Sequence, residues 1–291
     1  MIMLSERRRV LTMLRDGKVS VEEAEQMLDL LARPEDQSAG ELQVNLIGES
    51  PAMKDVVALI SKAARSDVPV LIIGEAGTGK EIVARAIHLK SSRSKGPFVI
   101  SDCTVLPDVL QQSEILGHER GAFTGAVSQK AGLLETANGG TLLLDGIHVL
   151  ASDVQATLGN VLKGRGYTRL GGSVTLYPDV RIMAATDVDL AKEAAEGGFR
   201  PDLYDHLSIV TIALPPLRKR KEDIPALARH FLDVIADRDQ RTLSLSPEAL
   251  DHLIQYDWPG NVRELRNVLQ RAAVLCDEEV IRPEDLPIAK A

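Results

Sequence analysis

The sequence predicts an α/β protein with a parallel sheet flanked by helices, preceded by a short helical hairpin and followed by an all-helical unit. Three observations carry this expectation. From residue 44 to about 217, apolar runs of strand length alternate with helical patterns. One such run, Val68-Pro69-Val70-Leu71-Ile72-Ile73, enters a glycine-rich turn that opens directly into the helical pattern Ile82-Val83-Ala84-Arg85-Ala86-Ile87. After Pro215-Pro216 the apolar spacing is helical, with no convincing strand.

Taken in order, residues 4–32 read as a hairpin of two helices. Val10, Leu11 and Leu14 make one apolar stripe, Gly17-Lys18 interrupts it, and Ala24, Met27, Leu28 and Leu31 make the second. Ser20 and Glu23 have the spacing of a capping box. Two helices this short cannot bury both stripes, so the hairpin is expected to pack on the main body or on another copy. Its six basic and six acidic residues over 1–33 speak against a nucleic-acid arm. Residues 34–43 have a linker's composition. Strands are expected at 68–73, 98–101, 141–145, 180–185 and 209–214, with helices near 52–65, 80–90, 154–163 and 203–207. The division is therefore 1–33 hairpin, 34–43 linker, 44–217 α/β core and 218–291 helical unit, the last with helices at 224–236, 247–256 and 261–276.

Composition bounds the function. The 291 residues are 44% hydrophobic, enough for a substantial core. A net charge of -8 disfavours a broad nucleic-acid surface. Cys103 and Cys276 lack the spacing of a metal site or a disulfide framework. No apolar run approaches the roughly 20 residues that span a bilayer, so a soluble, cytoplasmic protein without a membrane partner is expected.

Gly74-Glu75-Ala76-Gly77-Thr78-Gly79-Lys80-Glu81 is the chemical centre of the sequence. Between strand and helix, such glycines let successive N–H groups converge on a polyphosphate, the helix adds its positive end, and Lys80 adds a movable charge. This is a P-loop for a nucleoside triphosphate, except that Glu81 replaces the Ser or Thr that usually ligates magnesium. About 65 residues after Lys80, the buried run Leu142-Leu143-Leu144 ends in Asp145, where a Walker B carboxylate would hold Mg²⁺ through water. His118-Glu119-Arg120 leads into Gly121-Ala122-Phe123-Thr124-Gly125-Ala126, a loop whose phenylalanine either tucks inward or is offered to a partner.

Over residues 44–287 the chain resembles the central AAA+ domain of activators of sigma-54-type bacterial RNA polymerase. The stretches that carry the resemblance are GEAGTGKE, EILGHERGAFTGA, NGGTLLLD, GFRPDLYDHL, LPPLRKRKEDI and WPGNVRELRNVLQR. The resemblance implies ATP and Mg²⁺ as cofactors and a homo-oligomeric ring. It also implies that the 121–126 loop contacts the sigma factor, moving with ATP hydrolysis to remodel the promoter complex. That family also carries Glu at the position of Glu81. Ile47 and Gly48 would lie near adenine, Asn261 would cap a helix presenting Arg263 as sensor II, and Thr186 with Asp187 would form sensor I. Arg200 would reach into a neighbouring subunit's site. The sequence ends at Ala291, where many family members continue into a helix-turn-helix, so no DNA-binding domain is expected in this chain. The hairpin stretch GKVSVEEAEQMLDLL weakly resembles short bacterial helical modules.

Four departures fall on the chemistry. The family reads Asp-Glu where this chain has Asp145-Gly146, Asn where it has Asp102, Thr-Asn where it has Thr186-Asp187, and a second arginine where it has His206. Loss of a general base costs about 10²–10⁴ in rate and of an arginine finger about 10³–10⁵. Asp102 is the substitute base that its position suggests. The competing expectation is a nucleotide-responsive binding or assembly module without hydrolysis. His148 could serve as a substitute base but is read as a surface residue of the following loop, and Trp258 as lid packing rather than a ligand platform.

Overall fold

The computed structural model describes residues 46–276 and 278–288, so the hairpin expected over 4–32 lies outside the described residues. Ser50 opens α1 (Pro51–Ala63) by accepting the Met53 N–H at 3.4 Å, and Pro51 fits the first helical position, where no N–H is needed. β1 (Val70–Ile73) follows, then α2 (Lys80–Leu89), β2 (Phe98–Asp102) and α3 (Asp108–Leu116). β3 (Gly117–His118) and β4 (Lys130–Ala131) form a small antiparallel ribbon around the 121–126 loop. After α4 (Leu133–Thr136) come β5 (Thr141–Asp145), α5 (Ser152–Leu162) and a second ribbon, β6 (Tyr167–Thr168) with β7 (Thr175–Leu176). β8 (Arg181–Thr186), α6 (Leu190–Glu196), α7 (Pro201–Leu207) and β9 (Val210–Ala213) complete the α/β part.

The main sheet is parallel, in the order β2-β5-β8-β1-β9. Apolar clusters cover both faces: Leu142, Leu144, Ile182 and Ala184 point into one, Val70, Ile72, Leu143 and Met183 into the other. Burial on both sides explains why these strands read as continuous apolar runs rather than alternating ones. The five expected strands are present, 141–145 with its expected ends and the other four with shifted ones. β1 starts after Pro69, which has no N–H to give a ladder, and β2 extends to Asp102, which stands in register beside Asp145. The sequence reading missed α3, α4, α6 and both ribbons, segments too short for periodicity to distinguish.

The C-terminal unit packs α8 (Ile224–Asp239), α9 (Pro247–Gln255) and α10 (Asn261–Leu275) around a separate core. Trp258 is fully buried there and donates Nε1–H to the Leu253 carbonyl at 2.7 Å. Where no strand was evident in sequence, β10 (Ser244–Leu245) and β11 (Val280–Ile281) form a two-residue parallel pair. Among the described residues no helix is long and apolar enough to cross a membrane.

Candidate functional site

The 74–80 loop lies at the carboxyl edge of the parallel sheet, where α/β folds collect their ligands. Gly77 (φ +80°) and Gly79 (φ +105°) are glycines for different reasons. At Gly79 the backbone angle alone demands it, since an added Cβ has room. At Gly77 an added Cβ would strike the Gly260 carbonyl, so the C-terminal unit itself crowds the turn. Lys80 donates its ammonium to the loop carbonyls of Gly74 (2.8 Å) and Glu75 (3.4 Å), which holds the charge at the loop's mouth.

The C-terminal unit is bonded to this loop at five places. Arg218 grips the Glu75 carboxylate with both terminal nitrogens (2.8 and 2.5 Å). Asn261 Nδ2 donates to Glu75 and to the Ala76 carbonyl, both at 3.1 Å. Arg220 donates to the Thr78 carbonyl at 3.0 Å and the Arg263 N–H to the Gly77 carbonyl at 3.3 Å. Arg218 first, then Asn261, hold the Glu75 carboxyl down to about 2 from the ordinary 4.5. Asn261 therefore does not cap α10. Gly260 occupies the cap position, Glu264 accepts its N–H at 2.7 Å, and Asn261 sits inside the helix end at φ +54° with its amide turned away to the loop. Arg263 is exposed beside Gly77.

On the other flank, Ile47 packs against the C-terminal core and Gly48 adjoins Asp223. Asp223 is 1% exposed and accepts the N–H groups of Glu49 and Ser50 and the Ser50 hydroxyl, all at 2.8 Å. Sequence reasoning missed Arg218, Arg220 and Asp223, although all three stand in the motif LPPLRKRKEDI.

The strand ends beside the loop are arranged differently. Asp145 and Asp102 end neighbouring strands in register. Burial pushes the Asp145 carboxyl up from its ordinary value, Lys80 pulls it down, and Asp102 and Glu81 push it up again. Three carboxylates against one ammonium suit a hard, oxygen-seeking cation, while among the described residues no group of three or more His, Cys, Asp or Glu converges to cage one. That combination fits Mg²⁺ held by Asp145 together with phosphate oxygens.

Gly146 follows at φ +71°, and an added Cβ would collide with the Thr104 methyl. Thr104 is fixed from the other side: its hydroxyl (2.5 Å) and N–H (3.1 Å) both donate to Asp102 Oδ1, so the Asp102 carboxylate caps the 103–105 turn. His148 is not a plain surface residue, contrary to its reading from sequence. Its side chain is 21% exposed, with Nδ1 3.2 Å from the Thr186 hydroxyl and 4.0 Å from an Asp187 carboxylate oxygen. Thr186 is fully buried, and its carbonyl accepts the Gly74 N–H at 3.1 Å, tying the end of β8 to the 74–80 loop.

Arg200 stands apart from this cluster at the start of α7. Its guanidinium is held by Asp202 (3.1 and 3.4 Å), which Lys163 also meets at 2.8 Å. His206 lies in the last turn of the same helix.

In the 121–126 loop, Phe123 is half-buried. Its ring meets His118 edge-on at 5.0 Å, and buried His118 is fixed by the Ser113 hydroxyl at 2.8 Å. Arg169 ties down the loop's base, meeting Glu119 at 2.7 Å and Glu135 at 2.8 and 2.5 Å. A buried glutamine links loop and nucleotide edge. From α3, Gln111 donates to the Val149 carbonyl at 3.2 Å and accepts the Ala151 N–H at 2.7 Å, joining the helix that leads to the loop with the turn that carries His148.

Comparison with known proteins adds the following. Residues 46–213 match the Sigma-54 interaction domain, 218–290 the AAA+ ATPase lid domain and 5–36 a SHOCT-like domain. The transcriptional regulatory protein ZraR of Klebsiella oxytoca is 48% identical over 85% of this chain and 56% of its own length. The regulatory protein AtoC of Escherichia coli is 48% identical over 84% of this chain and 53% of its own. The chain thus spans about half the length of these curated relatives. The crystal structure of NtrX from Brucella abortus in complex with ATP superposes with a TM-score of 0.80 at 33% identity, covering 92% of this chain and 61% of that one.

Proposed function

Because the chain belongs to the sigma-54 activator family of AAA+ proteins, we propose that it binds ATP at the 74–81 loop and uses nucleotide state to move the 121–126 loop against a sigma-54-type factor. The observation that carries this reading is the junction of loop and lid, where Gly77, Glu75 and Thr78 are bonded to Arg263, Arg218, Asn261 and Arg220 around one phosphate-sized turn. In this reading residues 44–217 are the nucleotide-binding core and 218–291 the lid. The N–H groups of Gly77, Thr78 and Gly79 and the Lys80 ammonium hold the phosphates, as the dipole of α2 favours. Ile47 and Gly48 border the base, and Arg263 approaches the phosphates from the lid. Asp145 holds Mg²⁺, which neutralises charge on the phosphate oxygens. Thr186 and Asp187 sense the γ-phosphate, and Arg200 serves the site of the next copy in a ring. Movement reaches Phe123 through Gln111 and α3, since a shift of the 147–151 turn pulls on two hydrogen bonds to one buried side chain.

The test is direct. Titration with a fluorescent ATP analogue and Mg²⁺ is expected to show saturable binding, and capture of sigma-54 factor by the γ-phosphate-mimic state is expected to vanish in Phe123→Ala. Absence of nucleotide binding by the full chain refutes the reading. A second reading, binding without turnover, draws on the left-handed Gly146 packed on Thr104; steady ATP turnover in the assembled protein refutes that one.

A further inference from the structure

We propose that His148 accepts the proton of the water that attacks ATP, taking over the work of the carboxylate that Gly146 lacks. This rests on the nucleotide reading above. The neighbouring carboxylates have other work: Asp102 caps the 103–105 turn through two hydrogen bonds from Thr104, and Asp145 is the metal carboxylate. A glutamate at 146 is barred by the left-handed backbone and by the Thr104 methyl. That leaves the turn after β5 with one further proton-accepting side chain, His148.

Its surroundings suit the task. In the tautomer this role requires, Nδ1–H donates to Thr186 Oγ1, which also accepts the Val188 N–H at 3.2 Å, so the ring is oriented through a hydroxyl oxygen fixed from a second direction and Nε2 keeps its lone pair. Asp187, at 4.0 Å, supplies the negative charge that stabilises an imidazolium once formed. His148 is one hydrogen bond from Thr186, and Thr186 is one from Gly74 of the P-loop. The other charged groups of this sheet edge are Asp145, Asp102, Lys80 and Glu81.

The step balances without a further reactant. A water O–H bond breaks as its proton passes to the free imidazole nitrogen, and the oxygen's electron pair forms the bond to the γ-phosphorus. The bond from that phosphorus to the β–γ bridging oxygen breaks, its electrons leave on ADP, and the imidazolium then releases its proton to solvent.

The experiment compares wild type with His148→Gln and His148→Ala in the full-length assembled protein, measuring ATP affinity, turnover against pH, and the histidine ring signals by NMR with ADP alone or ADP–aluminium fluoride. Expected are unchanged ATP affinity in both variants, turnover lower by about 10²–10⁴-fold, loss of the acid limb of the rate profile, and a ring signal, missing in both variants, that moves with ADP–aluminium fluoride but not with ADP. Turnover within about threefold of wild type in either variant overturns the proposal, as does wild-type protein that binds ATP without turnover. Failure of wild type to bind ATP at all instead refutes the underlying nucleotide reading, and the proposal with it.

Discussion

The loop-and-lid junction and the ends of β2, β5 and β8 share one end of the sheet and obey different rules. At the junction, Gly77, Glu75, Thr78 and Asn261 meet partners contributed by the lid motif, and the resemblance to the family extends through every contact. At the strand ends, Asp102, Thr104, Gly146, His148 and Asp187 form a local arrangement that fits together, and Asp102, Gly146 and Asp187 are positions where the sequence differs from the pattern it otherwise resembles. In the proposed reading, the difference teaches that holding a nucleotide and attacking it fall to separate elements, the 74–81 loop with the lid and the strand ends. One can stay unchanged while the other is rebuilt.

The contrast is most strongly tested at Lys80. Lys80→Ala removes the loop's own cation and should weaken ATP binding by about 100-fold, or ~2.8 kcal/mol by calorimetry, while the fold keeps its melting temperature. An affinity unchanged to within threefold would remove the binding half of the comparison.

Asn261→Ala comes next. It strands the Leu217 N–H that Asn261 Oδ1 accepts at 2.8 Å and places alanine at φ +54°, so a loss of about 2–3 kcal/mol in chemical denaturation is expected, with the lid's hydrogen-exchange protection falling first. Gly146→Glu restores the family's residue in name only. The left-handed backbone and the Thr104 methyl should cost about 2 kcal/mol of stability with no gain in turnover, and the added change Thr104→Gly should recover part of the stability loss. A single Gly146→Glu variant with raised turnover and unchanged melting would show that the edge had not been rebuilt around glycine.

The smallest effect concerns Glu75. Because its folded carboxyl lies at about 2 and the ordinary value is 4.5, its contribution is complete above about pH 4.5 and fades as the pH falls towards 2. Both partners are partly exposed, 39% for Arg218 and 40% for Glu75, so solvent screens the pair and Glu75→Gln should shift the acid unfolding midpoint only slightly while flattening this limb. An acid limb of unchanged steepness would detach Glu75 from the latch.

Much of the α/β architecture was legible because continuous apolar runs and glycine-to-helix transitions are local signals, and the sheet buries both of its faces. Strand ends were blurred by a residue or two, since ladder pairing rather than composition ends a strand, as Pro69 and Asp102 show. The candidate site was legible as a placement where residues are contiguous: the 74–81 loop between β1 and α2, the 121–126 loop between β3 and β4, and Asp145 at the end of β5. It was illegible where contacts are long-range: Asn261 reaches Glu75 across 186 positions and His148 meets Thr186 across 38.

What the sequence alone determined is the presence of a glycine-rich loop between strand and helix, a carboxylate at the end of a buried strand, and a phenylalanine loop. These follow from residue types at short spacing, where the backbone leaves few alternatives. Only the tertiary structure decided that Phe123 rests on His118, that Asn261 latches the lid instead of capping a helix, and that Thr104 fills the space beside Gly146. It also turned His148 from a loop residue into the neighbour of Thr186 and Asp187. Each depends on which strand end lies beside which, and that order is set by packing the whole sheet, not by any stretch of it.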